Sequence, residues 1–207
     1  LSGGGGTQTD DADYNVGVGY YALSALTQGT KNTAIGVGSL EDVTIGDNNT
    51  AIGFQALVDL GTAQSDDNVA IGYQAMGGAI GTEVVDDCVA IGSGALSGAL
   101  DSTNGADEAS GTVAIGKSAL ATLTSGAGNT AVGYQSLDAE DAGNYSTAIG
   151  YQALSAQNVD GTVGNVAVGE KAMSSVTTGI RNVAIGREAL VGGSAAATDN
   201  VAIGYHA

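Results

Sequence analysis

The sequence has no proline and no tryptophan, and only one cysteine, one phenylalanine and one histidine. Without proline every backbone N–H is available, which suits a chain whose main-chain donors are committed to sheet ladders. With Cys88 alone, no intrachain disulfide forms, and cysteine usage says nothing about compartment. With His206 alone, no Ser/His/Asp set, Cys/His pair or zinc-ligand cluster assembles, so an enzyme is not expected. Cations are scarce as well: five Lys and Arg stand against 22 Asp and Glu, a formal charge of −17. Such a balance lacks the clustered basic residues on which nucleic-acid binding depends, and it disfavours an anionic membrane surface. No run of about 18 apolar residues exists, so no membrane insertion by this segment is expected. Aromatics are 4% of the chain, leaving mainly Ala, Val, Ile and Leu as apolar material, enough for a thin core but not a wide one.

What the sequence has in quantity is repetition. NTAIGVGSL at 32–40 returns as NTAIGFQAL at 49–57, NVAIGYQAM at 68–76, NTAVGYQSL at 129–137 and NVAIGREAL at 182–190. Eleven copies begin at Asn15, Asn32, Asn49, Asn68, Cys88, Thr112, Asn129, Ser146, Asn165, Asn182 and Asn200. Their spacings are 17, 17, 19, 20, 24, 17, 17, 19, 17 and 18. A period near 17 residues is too short for paired-helix repeats and suits one coil of a β-solenoid. The expected fold is all-β, a parallel β-solenoid (β-roll) of about eleven coils. Residues 1–13 read as a Gly-rich linker or the continuation of an upstream segment. Residues 14–207 read as the repeat array, which stops in mid-coil, as a piece of something longer would.

Counting from the Asn as position one, position three is Ala in ten copies and Gly17 in the other, and position four is always Ile or Val. Adjacent strand residues point to opposite faces. Either both faces are apolar and the outer one is covered by an identical chain, or a bend at the next residue turns both inward. The core is expected to contain Ala, Ile and Leu, so that Ile149→Asp would disrupt the stack. Position five is Gly in every copy, marking a corner. The main strand should span positions two to five. Position eight is Ala or Ser and position nine Leu or Met, a crowded spot followed by a core filler. Position twelve is apolar in four of the five 17-residue coils (Leu26, Val43, Leu123, Val176), with Glu140 the exception. The Asn side chains are expected to stack as a ladder, each amide bonding the next. Cys88, Thr112 and Ser146 are small replacements there.

The run N-(T/V)-A-(I/V)-G-x-x-(A/S)-(L/M) resembles the head repeats of trimeric autotransporter adhesins and the NTAIGYQAL repeats of phage tail fibres. The resemblance covers residues 15–207. It implies a trimeric, left-handed parallel β-roll that holds an adhesive or receptor-binding surface away from its base. The coil here, at least 17 residues, is longer than the adhesin head repeat.

Two groups of side chains are candidates for contact with something else. Tyr20, Phe54, Tyr73, Tyr134, Tyr151 and Tyr205 share position six, and Gln55, Gln74, Gln135 and Gln152 follow four of them. They form either an exposed column that touches sugars or a surface, or a stack that simply packs along the solenoid. Ser93, Lys117, Glu170 and Arg187 interrupt it. Acidic residues gather in the turns before position one, with Asp66, Asp67, Asp86 and Asp87, and Asp107 and Glu108 in the longest insertion. They are weak Ca²⁺ candidates against the alternative of a solvated charged rim. No other cofactor is expected. The reading of the whole is a structural or adhesive segment of an extracellular fibre, at a cell surface or on a virion appendage. Its partners would be identical chains, with a trimer favoured, and a glycan or protein on a host or prey surface. The alternatives are a phage or phage-like tail-fibre shaft and a glycan- or ice-binding solenoid.

Overall fold

The structure, a computed structural model, describes residues 12–59, 64–78, 84–100, 109–192 and 195–207. The described residues contain no helix. The strands are β1 (Val16–Val18), β2 (Thr33–Ile35), β3 (Thr50–Ile52), β4 (Val69–Ile71), β5 (Val89–Ile91), β6 (Val113–Ile115) and β7 (Thr130–Val132). They continue with β8 (Gly143–Asn144), β9 (Thr147–Ile149), β10 (Gly161–Thr162), β11 (Val166–Val168), β12 (Val183–Ile185) and β13 (Val201–Ile203). Eleven of them form one parallel sheet in the order β1-β2-β3-β4-β5-β6-β7-β9-β11-β12-β13, while β8 and β10 pair separately. This is the parallel β-solenoid expected from the period.

The register repeats without slippage. Thr33 lies against Thr50, Ala34 against Ala51 and Ile35 against Ile52, and the same position-for-position pairing recurs at every rung. Each short strand is closed at both ends by the same bonds. The Thr33 N–H donates to the Asn49 carbonyl at 2.8 Å, and the Gly53 N–H donates back to the Ile35 carbonyl at 2.8 Å. Identical sequence in successive coils makes this the one register in which every Ala faces inward, since a one-residue slip would exchange the two faces.

The strand ends at position four, one residue sooner than expected. Position five cannot continue it because its glycines have φ between +128° and +142°, where an L side chain is strained. A Cβ there would also run into the carbonyl of the glycine one coil on, as Gly36 would against Gly53. The corner therefore recurs in every coil, and the chain turns away from the sheet.

The corner separates the two apolar columns. Position three is sealed inside, with Ala34, Ala51, Ala70 and Ala90 all 0% exposed. Position four points out, and Ile35, Ile149 and Ile185 are about 40% exposed. This corrects the expectation that Ile fills the core. The buried cluster contains Ala, Leu, Met, Val and Cys88, but no isoleucine. Its large members are the position-nine residues, among them Leu57, Met76, Leu96 and Met173, together with Leu26, Val43, Leu123 and Val176 at position twelve. Position nine also adopts a left-handed backbone, with φ of +49° at Leu57 and +47° at Met76. Such a conformation costs about 1–2 kcal/mol for an L residue. Full burial of the side chain, worth about 1.5–3 kcal/mol, offsets it. So does the bond from the Leu57 N–H to the Ala75 carbonyl at 2.9 Å in the next coil.

The Asn ladder exists, but with different partners from those expected. Asn32 Oδ1 accepts the main-chain N–H of Asn49 at 2.8 Å, and its Nδ2 donates to the Gly46 carbonyl at 2.6 Å. Asn49, Asn68 and Asn165 repeat the arrangement. Amide-to-amide bonds occur between Asn165 and Asn182 at 3.2 Å and between Asn182 and Asn200 at 3.0 Å. Main-chain partners win because the buried donor and acceptor at each corner would otherwise be orphaned. Cys88 stands in for Asn by donating its thiol proton to the Ala109 carbonyl at 2.9 Å. Thr112 does not manage the same: its hydroxyl is buried without a partner among the described residues.

Candidate functional site

The outer face of the sheet is built from positions two and four of every coil. These are Thr or Val, then Ile or Val, without a single charged residue over eleven strands. In a chain of net charge −17, that is a segregated surface. At roughly 4.8 Å per rung and about 10 Å across, it covers on the order of 500 Å². That is at the upper end of what a monomeric protein leaves uncovered.

Position six, carried round the corner by the glycine, forms a ridge along this face. The expected column is present in part. Phe54 and Tyr73 stack with ring centroids 5.5 Å apart and planes within 7°. Tyr134 and Tyr151 stack at 5.4 Å and 8°. Gln74 Nε2 donates to Gln55 Oε1 at 3.1 Å, and Gln152 Nε2 to Gln135 Oε1 at 3.1 Å, so each aromatic pair has an amide pair beside it. Tyr20 is outside these stacks: its ring is tilted 60° against Tyr21 at 4.1 Å. The side-chain hydrogen bond with Tyr21, in which Tyr20 keeps its proton, and then the charge of the Tyr21 phenol push the Tyr20 phenol above its ordinary value. Tyr205 is also outside them, edge-on to His206 at 4.3 Å and under the Arg187 guanidinium at 5.7 Å. The exposed Val37 fills the ridge between Tyr20 and Phe54.

The charged residues that interrupt the column form a local network at the last coils. Arg187 pairs with Glu170 and with Glu188, each at 3.4 Å, and His206 Nε2 lies 2.6 Å from Glu188. The 17- and 18-residue spacings of these charges could have signalled it, since equal positions in adjacent coils are stacked.

The acidic turn residues do not converge. Among the described residues, no group of three or more His, Cys, Asp or Glu is placed to hold a metal ion. Asp66 Oδ1 accepts the Asp47 N–H at 2.7 Å, and Asp86 Oδ1 accepts the Asp66 N–H at 2.7 Å. One oxygen of each is thus engaged in holding coil to coil. Asp67 and Asp87 occupy the left-handed turn position before position one, with φ of +59° and +58°. Asp107 and Glu108 lie outside the described residues.

Cys88 is buried, and desolvation pushes its thiol up to about 12. That keeps it protonated and unreactive at neutral pH. Glu140, the charged exception at position twelve, is fully buried. Its Oε1 accepts the Gly143 N–H at 2.8 Å and its Oε2 accepts Gln157 Nε2 at 2.7 Å. Gln157 continues to Ser146 Oγ at 3.1 Å and accepts from Asn165 Nδ2 at 2.7 Å. The network bridges the 17-residue coil that begins at Asn129 and the 19-residue coil that begins at Ser146.

No protein-family model matches the chain, and no curated protein or solved structure matches it either.

Proposed function

We propose that this chain is a stiff, non-enzymatic rod in an extracellular fibre, that it associates with identical chains through its uncharged sheet face, and that the assembly presents a surface for attachment. The observation that carries this reading is the segregation of charge. Eleven consecutive outer strand faces are apolar or threonine, while 22 acidic residues are spent elsewhere on the chain. Burying about 500 Å² on each of two chains reaches the roughly 1,000 Å² that a specific interface needs. A trimer, as the resemblance to adhesin head repeats implies, would use this same face on each chain. The parallel backbone ladder supports the mechanical part, because each interior rung is hydrogen-bonded above and below.

The test uses Ile149→Asp and Ile71→Asp. Both residues point outward, so the coil should still form and the circular-dichroism spectrum should remain that of β-structure. Self-association, read as molar mass by multi-angle light scattering, should be lost. A wild-type chain that is monomeric at tens of micromolar, or an Ile149→Asp chain with unchanged mass, refutes the interface.

A further inference from the structure

We propose that coils five and six carry a saccharide-binding slot between Tyr73 and Tyr134, which takes a pyranose bearing a single carboxylate. This rests on the attachment part of the reading above and names its ligand.

The slot is a gap in the position-six ridge. Below it Phe54 and Tyr73 are stacked, and above it Tyr134 and Tyr151 are stacked. Rings that stack along the rod turn their remaining faces along it too, so Tyr73 and Tyr134 face the gap from opposite sides, with no second ring against them among the described residues. Three rungs of roughly 4.8 Å separate the two ring levels by about 14 Å. Removing the thickness of the two rings leaves about 11 Å, shared by the side chains of Ser93 and Lys117. In between, positions six and seven are Ser93-Gly94 and Lys117-Ser118. The floor is low: Gly94 has no side chain, and even a Cβ there would make only ordinary contacts, with Ser97 Oγ at 3.6 Å and Ser118 Oγ at 3.9 Å.

The polar groups around the gap are unspent. The lower amide ladder ends with Gln74 donating to Gln55, which leaves Gln74 Oε1 without a donor among the described residues. The upper one starts with Gln135 accepting from Gln152, which leaves the Gln135 NH₂ without an acceptor among them. The gap therefore has an acceptor on one wall and a donor on the other. Lys117 is exposed and, like Lys31 and Lys171, has no carboxylate partner among the described residues, but of the five Lys and Arg it alone stands in the gap.

These groups match a sugar acid. A pyranose ring has a C–H face that packs on an aromatic ring, and hydroxyls that both donate and accept. Its carboxylate would take a charge-assisted bond from Lys117. The remaining charge of the chain repels a polyanion, so the fit is to one acidic sugar at a chain end or set among neutral ones.

Saturation-transfer NMR titrations of the full chain with methyl β-D-glucuronide and methyl β-D-glucoside test the slot. The glucuronide should bind at least about tenfold more tightly, the value of one charged hydrogen bond. Lys117→Gln should erase that preference. Ser93→Tyr, which writes the ridge's own residue into the gap, should abolish both signals while the circular dichroism and assembled mass stay as in wild type. Equal affinity for the two sugars, binding of neither, or signals that survive Ser93→Tyr would overturn the proposal. The mass of the same samples separates the two ideas. An assembled rod that binds neither sugar refutes the slot alone, and a dispersed monomer that binds the glucuronide refutes the interface alone.

Discussion

Replacing Asn49 with alanine should destabilise the rod by about 3–4 kcal/mol, far more than loss of one exposed amide. Asn49 is fully buried. Its Oδ1 accepts the Asn68 N–H at 3.0 Å and its Nδ2 donates to the Ser65 carbonyl at 2.8 Å. Alanine removes both partners and leaves a buried donor and a buried acceptor with no access to water. Each orphan costs about 1–3 kcal/mol. The same change at Asn200 is the control. Its Nδ2 bonds to the exposed Thr198 carbonyl at 2.9 Å and to Asn182 Oδ1 at 3.0 Å, where water can replace it. There the loss should stay below about 1 kcal/mol. Urea denaturation followed by far-UV circular dichroism gives the global difference. Because stacked coils need not unfold as one unit, amide exchange at Asn68 gives the local one. In Asn49→Ala that amide should exchange at least a hundredfold faster, the equivalent of about 2.7 kcal/mol. Equal destabilisation by the two substitutions, or an unchanged Asn68 amide, would mean that the strand ladder alone holds the coils together and that the Asn column adds nothing.

Two further outcomes follow from the buried polar groups. Glu140→Leu restores the apolar pattern of position twelve, yet it should destabilise by about 3 kcal/mol, because the Gly143 N–H and the Gln157 amide lose their acceptor. Combined with Gln157→Leu, the cost should fall short of the sum of the single changes by more than about 1 kcal/mol in a double-mutant cycle, and strict additivity would deny the network. For Cys88, the folded thiol titrates near 12 because of burial, against an ordinary value of 9.0. Below pH 9 both states keep the proton and stability is unaffected. Between 9 and 12 only the unfolded chain gives it up, so stability should fall by about 1.4 kcal/mol per pH unit. Cys88→Ser should lack this component, and parallel wild-type and Cys88→Ser stability curves above pH 9 would refute it.

How much of this could be read beforehand depends on which residues are asked about. The period, the invariant glycine and the Leu or Met four places after it were enough for the solenoid, because a parallel stack forces equal positions into contact and so into similarity. Position four stays open in the sequence for a definite reason: in a strand of three residues, two neighbouring apolar columns are compatible with either face, and only the corner angle at the glycine decides which of them goes in. Ala goes in because it is the smaller, beside a core already filled by Leu57 and Met76. Ile is left on the surface, where a monomer gains nothing from it. The left-handed backbone at Leu57 was invisible for the opposite reason, since its cost is met by stacking bonds that no local pattern encodes. Both cases point the same way. A coil of this kind spends backbone strain and surface isoleucine together, and it does so at every rung, although only the strain is repaid inside one chain. The column of isoleucine or valine makes physical sense once a second chain covers it, so its persistence across eleven rungs, eight of them isoleucine, through insertions that change the coil length from 17 to 24 residues, is the strongest argument in the molecule for the proposed self-association.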